Sequence, residues 1–446
     1  MTEGVPCSPL LTDYYQLTMM EAYLRHDMTQ TAVFEFFVRK LPDQRRFLMA
    51  AGLEQVLEFL EQLRFSSETL DWLERHGHAS RTLIDYLAGL RFTGDVDAMA
   101  EGTVFFADEP VLRITAPLPV AQLVESRVMN LLHFQCMIAS KAARMVLAAP
   151  GKRLVDFGLR RAHGAEAGLL AARAAYVAGF DGTATVLAGQ AFGIPLYGTM
   201  AHSFILAHGD ELAAFEDFVR IHPDNTILLI DTYDTRRGAQ RVVELAERLR
   251  GTDIRIRGVR IDSGDLDTAS REVRAILDAA GLHEVTIFAS GNLDESRLAR
   301  LQRDGAPIDG FGVGTRMDVS DDAPYLECAY KLQEYAGQPR RKRSEGKATW
   351  PGSKQVYRRH DEHGQLRGDL IALASERAEG EPLLQPVMRG GQRVAPAPGL
   401  AAARAHGERQ LAGLPAMLRD LAPGPADGPA VSDALRALAR QLDATG

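Results

Sequence analysis

Six short clusters of polar and glycine residues punctuate the middle of this 446-residue chain, each directly after an apolar run. They are DFGLR (156–160), TMAHS (199–203), DTYDT (231–235), RIDSGD (260–265), ASGN (289–292) and GVGT (312–315). On an extended strand Arg260 and Asp262 point the same way. A cation and a carboxylate so placed could hold a charged substrate together with a ribose diol or a Mg²⁺ shell. Capping competes with this reading, because Ser263 or Asp265 could open the next helix and Asp234 could cap its own, although neither accounts for Arg260. Gly310, Gly312 and Gly314 would let backbone N–H groups come close to a phosphate, and such a cluster is also met in plain tight turns. His202, read alone, is either a strand-end polar residue or a catalytic one, since no serine or cysteine nucleophile motif accompanies it.

The elements that must position these clusters alternate. Apolar runs such as RLVDFG, TILLID, IRGVRID and VTIFAS read as strands, and each is followed by a segment with apolar residues at helical spacing. Val242, Leu245, Ala246 and Leu249 share one helix face, as do Ala269, Val273, Ile276, Leu277 and Ala280. Repeated strand-then-helix units imply a parallel sheet, either doubly wound or closed. In a closed barrel all the strand-end clusters converge on one face, whereas in an open sheet only those near a switch point meet. Five or more clusters favour an α/β fold built as an irregular, TIM-like β/α barrel. Before it, a helix over 12–25, strand formers at 32–39, helical character over 53–90 and three short strands after residue 94 predict an α+β domain spanning 1–125. The barrel is expected over 126–357. Residues 358–446, rich in Ala, Gly, Pro and Arg towards their end, are expected to be a peripheral, helical and partly mobile extension.

Composition removes other classes. A net charge of −8 argues against nonspecific nucleic-acid or anionic-membrane binding. Three distant cysteines, Cys7, Cys136 and Cys328, offer neither a disulfide framework nor paired zinc-ligand spacing. The residues after Met1 show no basic and apolar signal pattern and no run is long enough to span a bilayer, so a cytoplasmic protein is expected.

Taken in order, LLTDYYQLTM (10–19), DFGLRRAHG, GTATVLA, GTMAHSFI, DTYDT, RIDSGDL, ASGNLDE, GFGVGT, CAYKL (328–332) and KATWPGSKQVYRR (347–359) resemble the type II phosphoribosyltransferases, and among them the nicotinate phosphoribosyltransferases. The collinear match covers roughly the first four-fifths of the chain. The resemblance implies transfer of phosphoribose from phosphoribosyl pyrophosphate to the pyridine nitrogen of nicotinate, with Mg²⁺ and with ATP as co-substrate through a phosphohistidine. It places that histidine at His202 in GTMAHSF. It also implies that Phe157 stacks on one face of the pyridine ring and Tyr15 of a partner subunit on the other, which makes a homodimer with shared active sites. Arg260 would meet the nicotinate carboxylate, Asp262 the ribose side and Arg160 a phosphate. Thr183 and Ser203 would line the substrate site, and Gly291, Asn292, Gly312 and Gly314 would cradle the 5′-phosphate. The basic stretch RRKRSEGK (340–347) is similar to the family's diphosphate-covering segment.

The sister nicotinamide enzymes carry an aspartate in the GT-x-T strand, where this chain has Ala184. Omitting a carboxylate there favours an anionic ring substituent. Nicotinamide phosphoribosyltransferase is the alternative activity. Two other readings are a sugar-phosphate lyase, for which Lys331 is the one tempting Schiff-base residue, and a non-catalytic nucleotide-binding regulator.

Overall fold

The computed structural model describes residues 7–422, 424 and 428–444, which divide into two compact units. One comprises residues up to Ser140 together with those from Asp322 onward; the other is Lys141–Asp321.

The 141–321 unit is a six-stranded parallel sheet with helices between its strands. The strands are β1 (Arg153–Asp156), β2 (Gly182–Thr183), β3 (Ile227–Leu229), β4 (Gly258–Ile261), β5 (Thr286–Ser290) and β6 (Gly310–Val313). They lie in the order β2-β1-β6-β5-β4-β3, so the last strand pairs with the first. The strands are largely buried, which is why they read as apolar runs rather than alternating ones. Leu196 forms a single parallel bridge with Thr183 beyond β2. Among the described residues no ladder joins that segment to β3; the ladders give the expected parallel α/β arrangement, with β2 and β3 as its outermost hydrogen-bonded strands.

The helices are α1 (Ala165–Val177), α2 (Val186–Phe192), α3 (His202–His208), α4 (Glu211–Ile221), α5 (Thr235–Arg248), α6 (Leu266–Ala279), α7 (Glu295–Arg303) and the short α8 (Thr315–Asp318). Four of them start on an aspartate. Asp210, Asp234, Asp265 and Asp294 accept backbone N–H groups from Ala213, Arg237, Asp267 and Arg297. Each satisfies a donor that the first helical turn leaves open. Asp234 is therefore a cap, and α5 buries Ala239, Val242 and Leu245.

The other unit is built on a seven-stranded antiparallel sheet. An interior strand of it, Thr31–Val38, pairs with Leu112–Pro117 on one side and with Cys328–Tyr335 on the other. This pairing makes Cys328–Tyr335 part of the antiparallel sheet, and the unit boundaries fall at 140/141 and 321/322 where 125/126 and 357/358 were expected. Residues 358–446 differ as well. Lys354–His360 and Leu366–Leu373 form a hairpin, and Gln385–Arg389 joins the edge of the seven-stranded sheet through Asp95–Ala98. Helices Leu400–Ala412 and Asp433–Ala444 follow. The region thus mixes strands with the expected helices, because residues such as Leu370 and Ala372 pair with Tyr357 and Gln355. The three helices Leu53–Glu61, Ser67–Arg75 and Arg81–Gly89 occupy the stretch expected to be helical throughout.

Asp234→Ala should lower stability by about 1 kcal/mol, the usual cost of an N-cap. A chemical-denaturation midpoint equal to that of the parent chain would show that Asp234 does not hold α5.

Candidate active site

The register of the parallel sheet sets which strand ends become neighbours. Asp156 lies beside Thr183 on one side and Val313 on the other, and Ser290 lies beside Gly312. Next in line, Ala289 faces Ile261, so that Asp262, just beyond β4, comes to Ser290. The Ser290 hydroxyl donates to Asp262 Oδ1. Asp231, at the end of β3, receives the Asp262 N–H at 2.9 Å and the Ser263 hydroxyl at 2.6 Å. Its other oxygen is buried and has no hydrogen-bond partner.

His202 is the first residue of α3 and stands partly exposed above this row. Its Nδ1 is 3.1 Å from the Thr232 hydroxyl, and its Nε2 is 3.8 Å from Asp262 Oδ2. One ring nitrogen is therefore engaged by a hydroxyl and the other is turned to a carboxylate, an arrangement that sets the ring's orientation. Ser203, beside it, is exposed.

Arg260 lies in β4 itself. Its Nη2 donates to the Met200 carbonyl at 3.0 Å, while its Nε is buried without a partner. Burial pushes its pKa down, and the charges of Asp262 and Asp231 hold it up. It remains a cation, as arginine does throughout the physiological range. The guanidinium sits 5.8 Å from the centroid of the Phe157 ring. Phe157 is half-buried, packed 6.1 Å from Phe288 between centroids. It also explains Gly312: a Cβ there would lie 2.4 Å from the Phe157 ring, so the glycine makes room for the aromatic side chain. Gly291 has φ +101° and Asn292 φ +49°, a left-handed turn directly after β5. Gly314 precedes α8.

Thr183 is fully buried, and its hydroxyl donates to Asp156 at 2.6 Å while accepting the Thr185 N–H at 2.9 Å. It thereby shapes the loop that leaves Ala184 exposed. Arg160 is exposed on the turn after Phe157. The sheet thus gathers His202, Asp262, Arg260, Phe157 and Thr183 at the carboxyl ends of its strands, with the Gly291–Asn292 and Gly312–Gly314 turns on the same side. Tyr15 belongs to the other unit, half exposed on helix Tyr14–Arg25. Lys331 also lies there, in an antiparallel strand and 3.3 Å from Glu125, and is not a residue of the parallel sheet. That placement removes the lyase reading. Asp231, Thr232, Ser290 and Asp156 are additional members of the site. Their place in strand-end clusters was the available signal, but their partners are fixed only by the register.

Two family models match the chain: the nicotinate phosphoribosyltransferase N-terminal domain over residues 10–133, and the nicotinate phosphoribosyltransferase family over residues 152–355. The chain belongs to the nicotinate phosphoribosyltransferase family. A nicotinate phosphoribosyltransferase of Mycobacterium tuberculosis is 52% identical over 413 residues, 92% of this chain and 89% of that protein. One from Bacillus subtilis is 38% identical, covering 84% of this chain and 78% of the relative. Among solved structures, human nicotinic acid phosphoribosyltransferase superposes with a TM-score of 0.85 at 30% identity, covering 97% of this chain and 99% of that one. In this chain GTMAHSF (198–204) runs into α3 and DTYDT (231–235) follows β3, and the two segments meet at His202 and Thr232.

Thr232→Val should remove the partner of His202 Nδ1 and change the ring's tautomer balance, read from ¹⁵N chemical shifts of the imidazole. Identical shifts in the two proteins would show that Thr232 does not orient the ring.

Proposed function

We propose that this chain joins nicotinate to the ribose 5-phosphate of phosphoribosyl pyrophosphate, making nicotinate mononucleotide and pyrophosphate for NAD salvage. The observation that carries the reading is the Arg260 guanidinium set over the Phe157 ring, with Nε buried and unpartnered. A flat apolar face beside a desolvated cation is what a planar aromatic carboxylate requires. Ala184 supports the acid over the amide, because no carboxylate stands there to repel it or to accept an amide N–H. Relatives from bacteria to mammals carry the nicotinate name, which disfavours the nicotinamide alternative.

The reaction forms a bond between the pyridine nitrogen and C1 of the ribose and breaks the bond from C1 to the diphosphate oxygen. Positive charge builds on the sugar while negative charge builds on the leaving group, so positioning and charge neutralisation dominate. Phe157 and Arg260 fix the ring with its nitrogen towards the sugar. Asp262, held by Ser290, faces the ribose, and Arg160 with the Gly291–Asn292 and Gly312–Gly314 turns takes the 5′-phosphate. No cluster of three or more metal-binding side chains occurs among the described residues. That suits Mg²⁺ carried in on the diphosphate, which needs only one or two protein carboxylates. Asp231, with an orphaned buried oxygen, and Asp262 would hold it, and it would neutralise the departing pyrophosphate.

His202 is assigned the phosphoryl-accepting role. ATP would transfer its terminal phosphoryl group to the imidazole, releasing ADP, and water would later take that group as phosphate. Thr232 and Asp262 on opposite sides of the ring support the assignment, since they orient it before the transfer. A closed, irregular barrel and a cytoplasmic homodimer, with Tyr15 of the partner subunit on the ring's second face, complete the proposal. No helix of the described residues is long and apolar enough to cross a membrane.

The deciding experiment measures mononucleotide formation from nicotinate, nicotinamide and quinolinate with phosphoribosyl pyrophosphate and Mg²⁺, with and without ATP. Nicotinate should be preferred, and ATP should accelerate turnover with ADP appearing. Product from none of the bases would overturn the reading. His202→Ala should abolish nicotinate-stimulated ADP release while slow, ATP-independent transfer persists; full coupling in the variant would remove His202 from the role. Ala184→Asp should shift preference toward nicotinamide by about tenfold or more, equivalent to ~1.4 kcal/mol in the specificity ratio. Unchanged preference would place the discrimination elsewhere.

A further inference from the structure

Beneath the Phe157 face, two carboxyl groups meet out of reach of water. Asp156 ends β1 and is 0% exposed; Asp318 ends α8 and is 1% exposed. The contact leaves no slack, since a Cβ on Gly158 would lie 2.1 Å from the Asp318 Cγ. Asp156 has donors for a negative charge: the Gly158 N–H at 2.8 Å and the Thr183 hydroxyl at 2.6 Å. Asp318 has none, and both of its oxygens are buried without a donor. The group it reaches is the carboxyl of Asp156, with which its side chain hydrogen-bonds. Two carboxylates cannot form that bond without a proton between them, and an unpaired carboxylate in a dry site is costly. Burial pushes Asp318 well above the usual carboxylate range, and the charge of Asp156 pushes it further.

We propose that Asp318 is a positioning residue for this reaction, holding a proton shared with Asp156 so that the acid–carboxylate pair ties the segment after Gly314 to the strand end bearing Phe157. The pair reaches the base-binding side as well. Asp156 binds the Thr183 hydroxyl through its side chain and the Ala184 N–H, at 2.8 Å, through its backbone carbonyl. When the shared proton leaves, two negative charges face each other in a site closed to water. They must part, and the donors on Gly158 and Thr183 shift with them. Activity therefore acquires an alkaline limit set away from the reacting atoms.

Other charges near the pair are few. The elements packed against α8 carry Arg160 and Arg161 on the turn after Gly158, and Glu166 and Arg173 on α1. Arg316, on α8 itself, pairs with Asp294 and Asp321. Arg260 faces Phe157 rather than the carboxyls. The charge acting on Asp318 is that of Asp156.

The inference rests on the proposed activity for its catalytic half, so the test has two readouts. Asp318→Asn keeps the shape and supplies an N–H donor that does not titrate. The folded parent binds this proton more tightly than the unfolded chain. Its contribution to stability is therefore complete below the unfolded carboxyl pKa and is lost as pH rises through the folded value. The thermal midpoint of the parent should fall relative to that of Asp318→Asn as pH is raised from about 5 to about 9. The alkaline limb of kcat/KM for nicotinate should move up by about one pH unit or more in the variant. Parallel midpoints across the range would overturn the shared proton whether or not the protein turns over. Diverging midpoints with an unmoved alkaline limb would overturn the positioning role. Loss of nicotinate turnover in the parent itself would instead condemn the proposed activity. Should Asp318→Asn fail to fold, Asp318→Ala removes the same charge and reads the same difference.

Discussion

Parallel strands in register deliver their carboxyl ends to one edge whatever residues stand there, and everything chemical in the 141–321 unit depends on that constraint. Asp156 beside Thr183, Ser290 beside Gly312 and Asp262 within reach of Ser290 are consequences of backbone pairing before they are consequences of side-chain preference. The strand interiors are apolar and closed to water, so polar function is confined to the ends. Arg260, one residue inside the end of β4, and Asp156, the last residue of β1, are charges held there by specific groups: a carbonyl and an aromatic face for the cation, an amide and a hydroxyl for the carboxylate. A desolvated charge held this way acts more strongly on whatever is brought beside it than the same charge in solvent would.

The outline of the site was legible because the apolar-run, polar-end pattern survives in the sequence without help from tertiary structure. His202, Asp262, Arg260 and Phe157 stand in such clusters and meet in the folded unit. Helix starts were legible for the same local reason: Asp234 and Asp265 are caps, as their positions ahead of amphipathic segments imply. What could not be read is whatever depends on two distant segments touching. Gly312 looks like an anion cradle in sequence, yet the first thing it accommodates is Phe157, more than 150 residues earlier. Asp318 sits in RMDVSDD, indistinguishable from a solvated acidic turn until α8 folds it against Asp156. Thr232 is one hydroxyl among several, and only the approach of α3 to the end of β3 singles it out.

Larger departures have the same origin. The strands at Lys354–His360 and Leu366–Leu373 are short and polar on one side, and their hairpin is stabilised by cross-strand pairing that composition does not reveal. Arg358 is nearly fully buried there and reaches Asp369 on the neighbouring strand, an ion pair that becomes affordable only after both strands are in place. The 194–199 segment is irregular, and among the described residues a single bridge from Leu196 to Thr183 stands where a ladder would extend the parallel sheet.

The antiparallel sheet has a consequence for the chain's synthesis. Its interior strand Thr31–Val38 finds one neighbour early, at Leu112–Pro117, but the other, Cys328–Tyr335, is encoded about 290 residues later. At ~5–20 residues per second, the ribosome leaves that flank of an apolar strand without its neighbour for roughly 15–60 s while the entire parallel sheet is being made. During that interval TAVFEFFV is a bare template for any passing strand, its own or another chain's. The inserted unit can complete itself from contiguous sequence, whereas the unit around it must wait for translation to return. Nascent-chain quality control therefore bears hardest on a strand that carries none of the chemistry.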